Sequence, residues 1–221
     1  MKKNTDLLLK TPLFSGIRAE EMEAVLRCLD ARKEVHPRGT YIRSEGDAAD
    51  FIGILLSGSA QVVQDDYFGD RSILTSLEPG EMFGEAFACA GESRIPVSIL
   101  ASLDTEVLML SNDRILQQEG DGCGHHAILI RNLLHIVARK NLALSRKMGY
   151  MAKKKTAEKL MAFLKDQAKK NHSTSFTIPF DRQGLADYLG VDRSAMSFEI
   201  GRLRRQGRLK TERSHFELLG E

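Results

Sequence analysis

Four apolar residues, Ile130, Val137, Leu144 and Met151, recur at intervals of seven. A second series, Leu134, Asn141 and Met148, runs three residues ahead of the later members of the first. Together they form a coiled-coil seam, with Leu134, Asn141 and Met148 at a and the other four at d. A helix carrying such a seam presents an apolar stripe that a second helix must cover. The single Asn at an a position costs stability but favours a parallel partner in register, because each Asn bonds its counterpart only when aligned. The spacing therefore predicts a long helix after a glycine-rich break at Gly120, Gly122 and Gly124, and a homodimer built on these seven residues. Lys153-Lys154-Lys155 ends the seam.

Upstream the texture is different. Residues 18–31 carry Met22, Val25, Leu26 and Leu29 at helical spacing, which predicts a short amphipathic helix. From Arg32 to about Ser111 come short β-rich runs at 40–42, 51–56, 60–63, 73–74, 97–100 and 107–110. Gly39, Gly46, Gly58, Gly69, Gly80, Gly84 and Gly91 punctuate them. Many short strands with frequent turns predict an antiparallel barrel or sandwich. No helix-length segments separate the runs, which argues against a parallel α/β domain. A short turn of helix at 113–116 closes the region.

Charge is divided unevenly. Of 32 basic and 30 acidic residues, 15 and 9 fall in 152–221, a net of +6. That leaves 17 and 21, a net of −4, in 1–151. A basic smaller half suggests that this part alone meets a polyanion. Hydrophobic content of 42% excludes a disordered chain. No apolar run reaches the eighteen or so residues of a membrane helix, and no signal peptide is read at the N-terminus, so a cytoplasmic protein is expected, without a membrane partner. Cys28, Cys89 and Cys123 are odd in number and far apart, against a disulfide framework or an iron–sulfur cluster.

Beyond the lysine run, Ala157, Leu160, Met161, Phe163 and Leu164 predict another helix, followed by a polar loop over 169–175 and a strand over 176–180. Residues 181–200 then carry an internal logic. Asp181 suits an N-cap, and Leu185, Ala186 and Leu189 give the first helix a buried face. Gly190 suits the left-handed conformation that ends a helix. Asp192 caps a second helix with Ala195, Met196, Ile200 and Leu203 inward. Two short capped helices around a tight glycine turn are a helix-turn-helix. Its second helix would offer Arg193, Ser194, Ser197 and Phe198 to base edges in a major groove. Arg193 is the expected specific contact, since a guanidinium matches the O6/N7 edge of guanine. Arg182 and Gln183, with the helix N-terminus, would hold a phosphate, and Arg202 extends the basic stripe. Residues 207–219 read as a two-stranded wing with Leu209, Phe216 and Leu218 inward.

These features resemble the cyclic AMP receptor protein and FNR (Crp/Fnr) family of regulators over essentially the whole chain. The sensor resembles it through the glycine-spaced strands and Pro79-Gly80-Glu81-Met82-Phe83-Gly84-Glu85. The DNA-reading part does so through Arg182-Gln183-Gly184-Leu185-Ala186 and Val191-Asp192-Arg193-Ser194-Ala195-Met196-Ser197. The resemblance implies an α+β chain. A double-stranded β-helix (jelly-roll) sensor barrel would occupy 1–119, a dimerisation helix 120–152 and a winged helix-turn-helix 153–221. It further implies a non-enzymatic homodimeric transcription regulator on palindromic double-stranded DNA, with RNA polymerase as a protein contact and a small effector biasing the DNA domains. Phe198 stands where many members carry an arginine, so a different half-site is expected.

The effector pocket implied by the resemblance comprises Gly84, Glu85, Ala86, Arg94, Leu144 and Ser145. Arg94 arrives one residue early, Ile95 follows where a serine is expected, and Leu144 replaces a polar reader of adenine. An unneutralised phosphate there would be costly. These departures argue against cyclic AMP and leave the effector unidentified. Haem, as in some gas-sensing members, is the alternative cofactor, with His36, His125, His126 and His135 as candidate ligands. Cys89 has no basic neighbour in sequence to make it a redox switch. Two rival functions fit these residues less well. A cupin-type oxygenase needs several barrel histidines, and only His36 lies between Arg32 and Ser111. A regulatory module for a partner protein leaves the winged helix without a purpose.

Overall fold

The computed structural model describes residues 2–65, 71–116 and 124–219. Gly69, Gly120, Gly122 and Cys123 lie outside the described residues, as does the expected boundary at 119/120. The chain divides into two compact units, residues 1–139 and 140–221.

The first unit opens with helix α1 (Lys2–Lys10), which the sequence reading did not anticipate, and a 3₁₀ turn at Pro12–Phe14. The Thr11 hydroxyl donates to the Leu8 carbonyl at 2.7 Å at the end of α1, and Pro12 starts the next turn. The helix expected over 18–31 is shorter: α2 spans Met22–Cys28. Residues 18–21 are instead held as a turn, because the Glu21 carboxylate accepts the Arg18 backbone N–H at 3.1 Å and pairs with its guanidinium.

Eight strands follow: β1 (Arg32–His36), β2 (Tyr41–Arg43), β3 (Phe51–Ser57), β4 (Ala60–Asp65), β5 (Arg71–Leu77), β6 (Met82–Phe83), β7 (Ser98–Ala101) and β8 (Thr105–Ser111). They form two antiparallel four-stranded sheets, ordered β1-β8-β3-β6 and β2-β7-β4-β5. Helices α3 (Glu85–Ala90) and α4 (Asn112–Leu116) sit at the ends of β6 and β8. The two-residue period explains why β3 is buried from Phe51 to Leu56. Phe51 and Leu55 join Phe83, Ile95, Ile99, Val107 and Met109 in one core. Ile52, Ile54 and Leu56 join Leu108 and Leu110 in another, packed on Leu8, Met22, Val25 and the start of the long helix α5 (His126–Met151). That helix contributes buried Leu129, Leu133 and Ile136. Buried Asn132 beside them donates to the Leu13 and Ser15 carbonyls at 2.9 and 2.8 Å.

The second unit contains the rest of α5, then α6 (Thr156–Asn171), β9 (Ser175–Thr177), α7 (Arg182–Leu189), α8 (Arg193–Arg205), β10 (Leu209–Glu212) and β11 (His215–Leu218). Two expectations are corrected. Helix α6 runs three residues into the expected polar loop and ends where His172 turns left-handed at φ 49°. The strand expected over 176–180 stops at Thr177, since Pro179 has no N–H with which to continue a ladder. The two-stranded wing expected over 207–219 forms as β10 and β11, and β9 joins its sheet in the order β10-β11-β9, with Phe176 paired to Phe216. Leu160, Phe163, Leu164, Leu185, Leu189, Met196, Ile200, Leu203 and Phe216 fill the core. The last turns of α5 belong to it. Tyr150 packs edge-on to Phe163 at 5.8 Å and donates from its hydroxyl to Asp166 at 2.7 Å. Burial, with that carboxylate alongside, pushes the phenol pKa up. Lys147 lies 5.2 Å over the Tyr188 ring.

Candidate nucleic-acid interface and sensor site

The helix pair of the second unit is built as its local chemistry dictates. The Asp181 carboxylate accepts the Gly184 N–H at 2.7 Å, opening α7. Gly190 closes it at φ 58°, a conformation that side chains with a Cβ resist. The Asp192 carboxylate accepts the Ala195 N–H at 2.8 Å, opening α8. Met196, Ile200 and Leu203, four and three residues apart, are buried. Ala195, expected inward, is exposed, because it sits one residue back from that stripe in the first turn. Losing the Asp192 cap should weaken the helix end that carries the outward side chains. Asp192→Ala is expected to lower the stability of the second unit by about 1 kcal/mol, read as a shifted thermal midpoint. An unchanged midpoint would show that the cap is idle.

Arg193, Ser194 and Ser197 are exposed together on the first turns of α8, and Phe198 is 64% exposed beside them. Gln183 is exposed at the start of α7, its amide donating to Asp187 at 2.8 Å. Arg202 is tied to Glu199 of its own helix at 2.7 Å, so it brings less net positive charge than the sequence suggested. Arg182 is held differently. Its guanidinium lies 5.0 Å over the Phe216 ring and donates to the Thr211 hydroxyl at 2.9 Å. Burial, and the neighbouring Arg204 charge after it, lower its pKa, so an anion placed there would relieve an unfavourable field. Sequence reading missed that the wing aims Arg182. The signal was the alternation of Thr211 on β10 and Phe216 on β11, opposite each other across the ladder.

In the first unit, Gly84 precedes α3, buried Glu85 begins it, and Ala86 is exposed next to them. Arg94 lies exposed on a separate segment bridged to Ala48, and its guanidinium donates to the Gly46 carbonyl at 2.5 Å. Ile95 turns inward to the barrel core. Leu144 and Ser145 are exposed on the part of α5 that belongs to the second unit. The Cys89 thiol is at the surface, and desolvation, followed by the Glu85 carboxylate, raises its pKa, away from thiolate character. His36 is engaged by Glu34 at 3.1 Å and His125 by Glu21 at 3.2 Å, while His135 is exposed on α5. No cluster of three or more metal-ligating side chains occurs among the described residues. No described helix is long and apolar enough to cross a membrane.

Comparison with known proteins gives two family matches: a cyclic nucleotide-binding domain over residues 33–118 and a Crp-like helix-turn-helix domain over 158–220. The cyclic AMP receptor protein of Thermus thermophilus is 31% identical over 106 residues, 48% of either chain. The chain thus spans about half the length of that curated relative. Among solved structures, the Thermus thermophilus catabolite activator protein aligns over 95% of this chain and 94% of its own, with 23% identity and a TM-score of 0.51. The c-di-GMP-responsive regulator CLP of Xanthomonas campestris aligns over 92% of this chain and all of its own, with 18% identity and a TM-score of 0.57. Strands, long helix and winged helix pair occur in the same order as in these folds. With both halves matched, the chain belongs to the Crp/Fnr family, a cyclic nucleotide-binding domain joined to a Crp-like helix-turn-helix domain.

Proposed function

We propose that the protein is a homodimeric, DNA-binding transcription regulator whose sensor answers to a small effector other than cyclic AMP. The observation that carries the DNA-binding reading is the exposed Arg193, Ser194, Ser197 and Phe198 at the capped N-terminus of α8, backed by a core that buries the opposite face. Arg182 and Gln183 stand at the N-terminus of α7, suited to a phosphate. Two copies joined along α5 would set two such helices one duplex turn apart on a palindrome. The effector reading rests on Arg94. Its guanidinium donates to the Gly46 carbonyl from a segment separate from α3, and Ile95, where a serine is expected, is in the core, so the surroundings of Gly84, Glu85 and Ala86 depart from the pattern that suits a cyclic phosphate.

The test is a site selected from a random duplex library by the full-length protein, followed by Arg193→Ala. The variant should lose about 1–3 kcal/mol of discrimination between the selected site and random duplex, on the order of 5- to 150-fold. Its affinity for random duplex, and the salt dependence of that affinity, should change little, because phosphate contacts remain. Undiminished discrimination, or no affinity for any duplex at low salt, would overturn the reading.

A further inference from the structure

We infer that the first unit carries a second small-molecule site, outside the barrel, that takes a neutral apolar ligand. A cleft of about 360 Å³ lies between α1, α2 and the outer face of the β1-β8-β3-β6 sheet. That volume is within the range of ligand pockets. Its floor is hydrocarbon: Leu8, Met22, Leu56 and Leu108 are buried there, and Leu26 adds a half-buried edge. An ordered water needs two to four polar partners, and such a floor offers it none. The occupant that gains most is therefore an apolar body.

Charge at the rim fixes the rest of its chemistry. Each ionic side chain of the cleft already has a partner of opposite sign. Lys33 pairs with Glu106 at 2.8 Å, Glu23 with Arg27 at 3.2 Å and Glu20 with Arg18 at 3.5 Å. A charged ligand would have to break one of these pairs or enter without a counterion, and a neutral one meets neither cost. Asn4 at the mouth offers an amide to one polar end. The two helical walls are joined through the Leu13 and Ser15 carbonyls that Asn132 of α5 holds, so an occupant that spreads or closes them bears on the start of the long helix.

The probe is N-phenyl-1-naphthylamine, neutral and fluorescent, titrated against the full chain. Binding should saturate at one per chain. Ala19→Trp, which places an indole over the mouth from an exposed position, should weaken it at least tenfold. The anionic 8-anilino-1-naphthalenesulfonate should bind at least tenfold more weakly than the neutral probe. In methyl-labelled protein the Met22 resonance should move with saturation while Met109, inside the barrel, stays. This last measurement needs no variant and separates the cleft from the effector pocket proposed above. A moving Met109 with a still Met22, equal affinity for the anionic probe, or binding indifferent to Ala19→Trp in a folded variant overturns the inference.

Discussion

Replacing Leu134 and Leu144 together by Glu is expected to halve the mass of the protein in solution and to cut its affinity for a two-half-site duplex by about 10²- to 10⁴-fold. The long helix has two faces. Leu129, Leu133 and Ile136 are buried in the core of the first unit. The seam points elsewhere: Leu134 is 65%, Leu144 59% and Met148 62% exposed, with Ile130, Asn141 and Met151 also exposed and Val137 half-buried. A single chain has no reason to leave so many large apolar side chains in water on one stripe, and a second copy offers the same stripe to cover them. Because the two leucines are exposed, charging them leaves the fold of each chain intact, and the loss falls on association. Each chain then binds one half-site alone, without the raised local concentration that a joined neighbour supplies. Affinity for an isolated half-site should be unchanged. A milder version is Asn141 changed to a charged residue, which should weaken the pair without abolishing it. An unaltered mass in the double variant would sink the seam, and with it the palindrome.

What the sequence revealed and what it hid divide along a physical line. Helix ends, turns and caps were legible at Asp181, Gly190 and Asp192, because each depends on one residue and its immediate neighbours. The long helix and the apolar stripe it leaves exposed were legible because period alone marks them. The run at 51–56 was legible as a strand, but not that its alternate residues serve two different cores, since that depends on which elements cover each face. Helix α1 was missed because its few apolar residues find a use only against Met22 and the outer sheet face. That β9 joins the sheet of the wing was hidden, because β9 precedes the helix pair in sequence and reaches β11 only through the fold. At the candidate site, Arg193, Ser194, Ser197 and Phe198 could be read from helical phase. The holding of Arg182 by Thr211 and Phe216, and of Arg202 by Glu199, could not, because side-chain partners are not a function of spacing alone.

The sharpest test of the barrel lies at one cross-strand pair. Gly53 on β3 sits opposite Phe83 on β6, and the ring lies directly over the glycine. A Cβ added to Gly53 would fall 2.1, 2.3 and 2.6 Å from three ring carbons, far inside contact distance. The ring has little room to yield, since it is buried against Phe51, edge-on at 6.2 Å, and the rest of the interior core. Gly53→Ala must therefore expel the ring or part the strands, at a cost of about 3 kcal/mol or more for so small a change. Phe83→Ala alone should cost about 3–5 kcal/mol through the cavity it leaves. The double variant is the informative one. With the ring gone, the new methyl group meets no clash and fills part of the space, so the two losses should fall short of additivity by at least about 1 kcal/mol. Urea unfolding of the four proteins reads this directly. Additive losses would mean that the strands relax around the methyl group, and that the close approach of ring and backbone does not fix the register of β3 on β6.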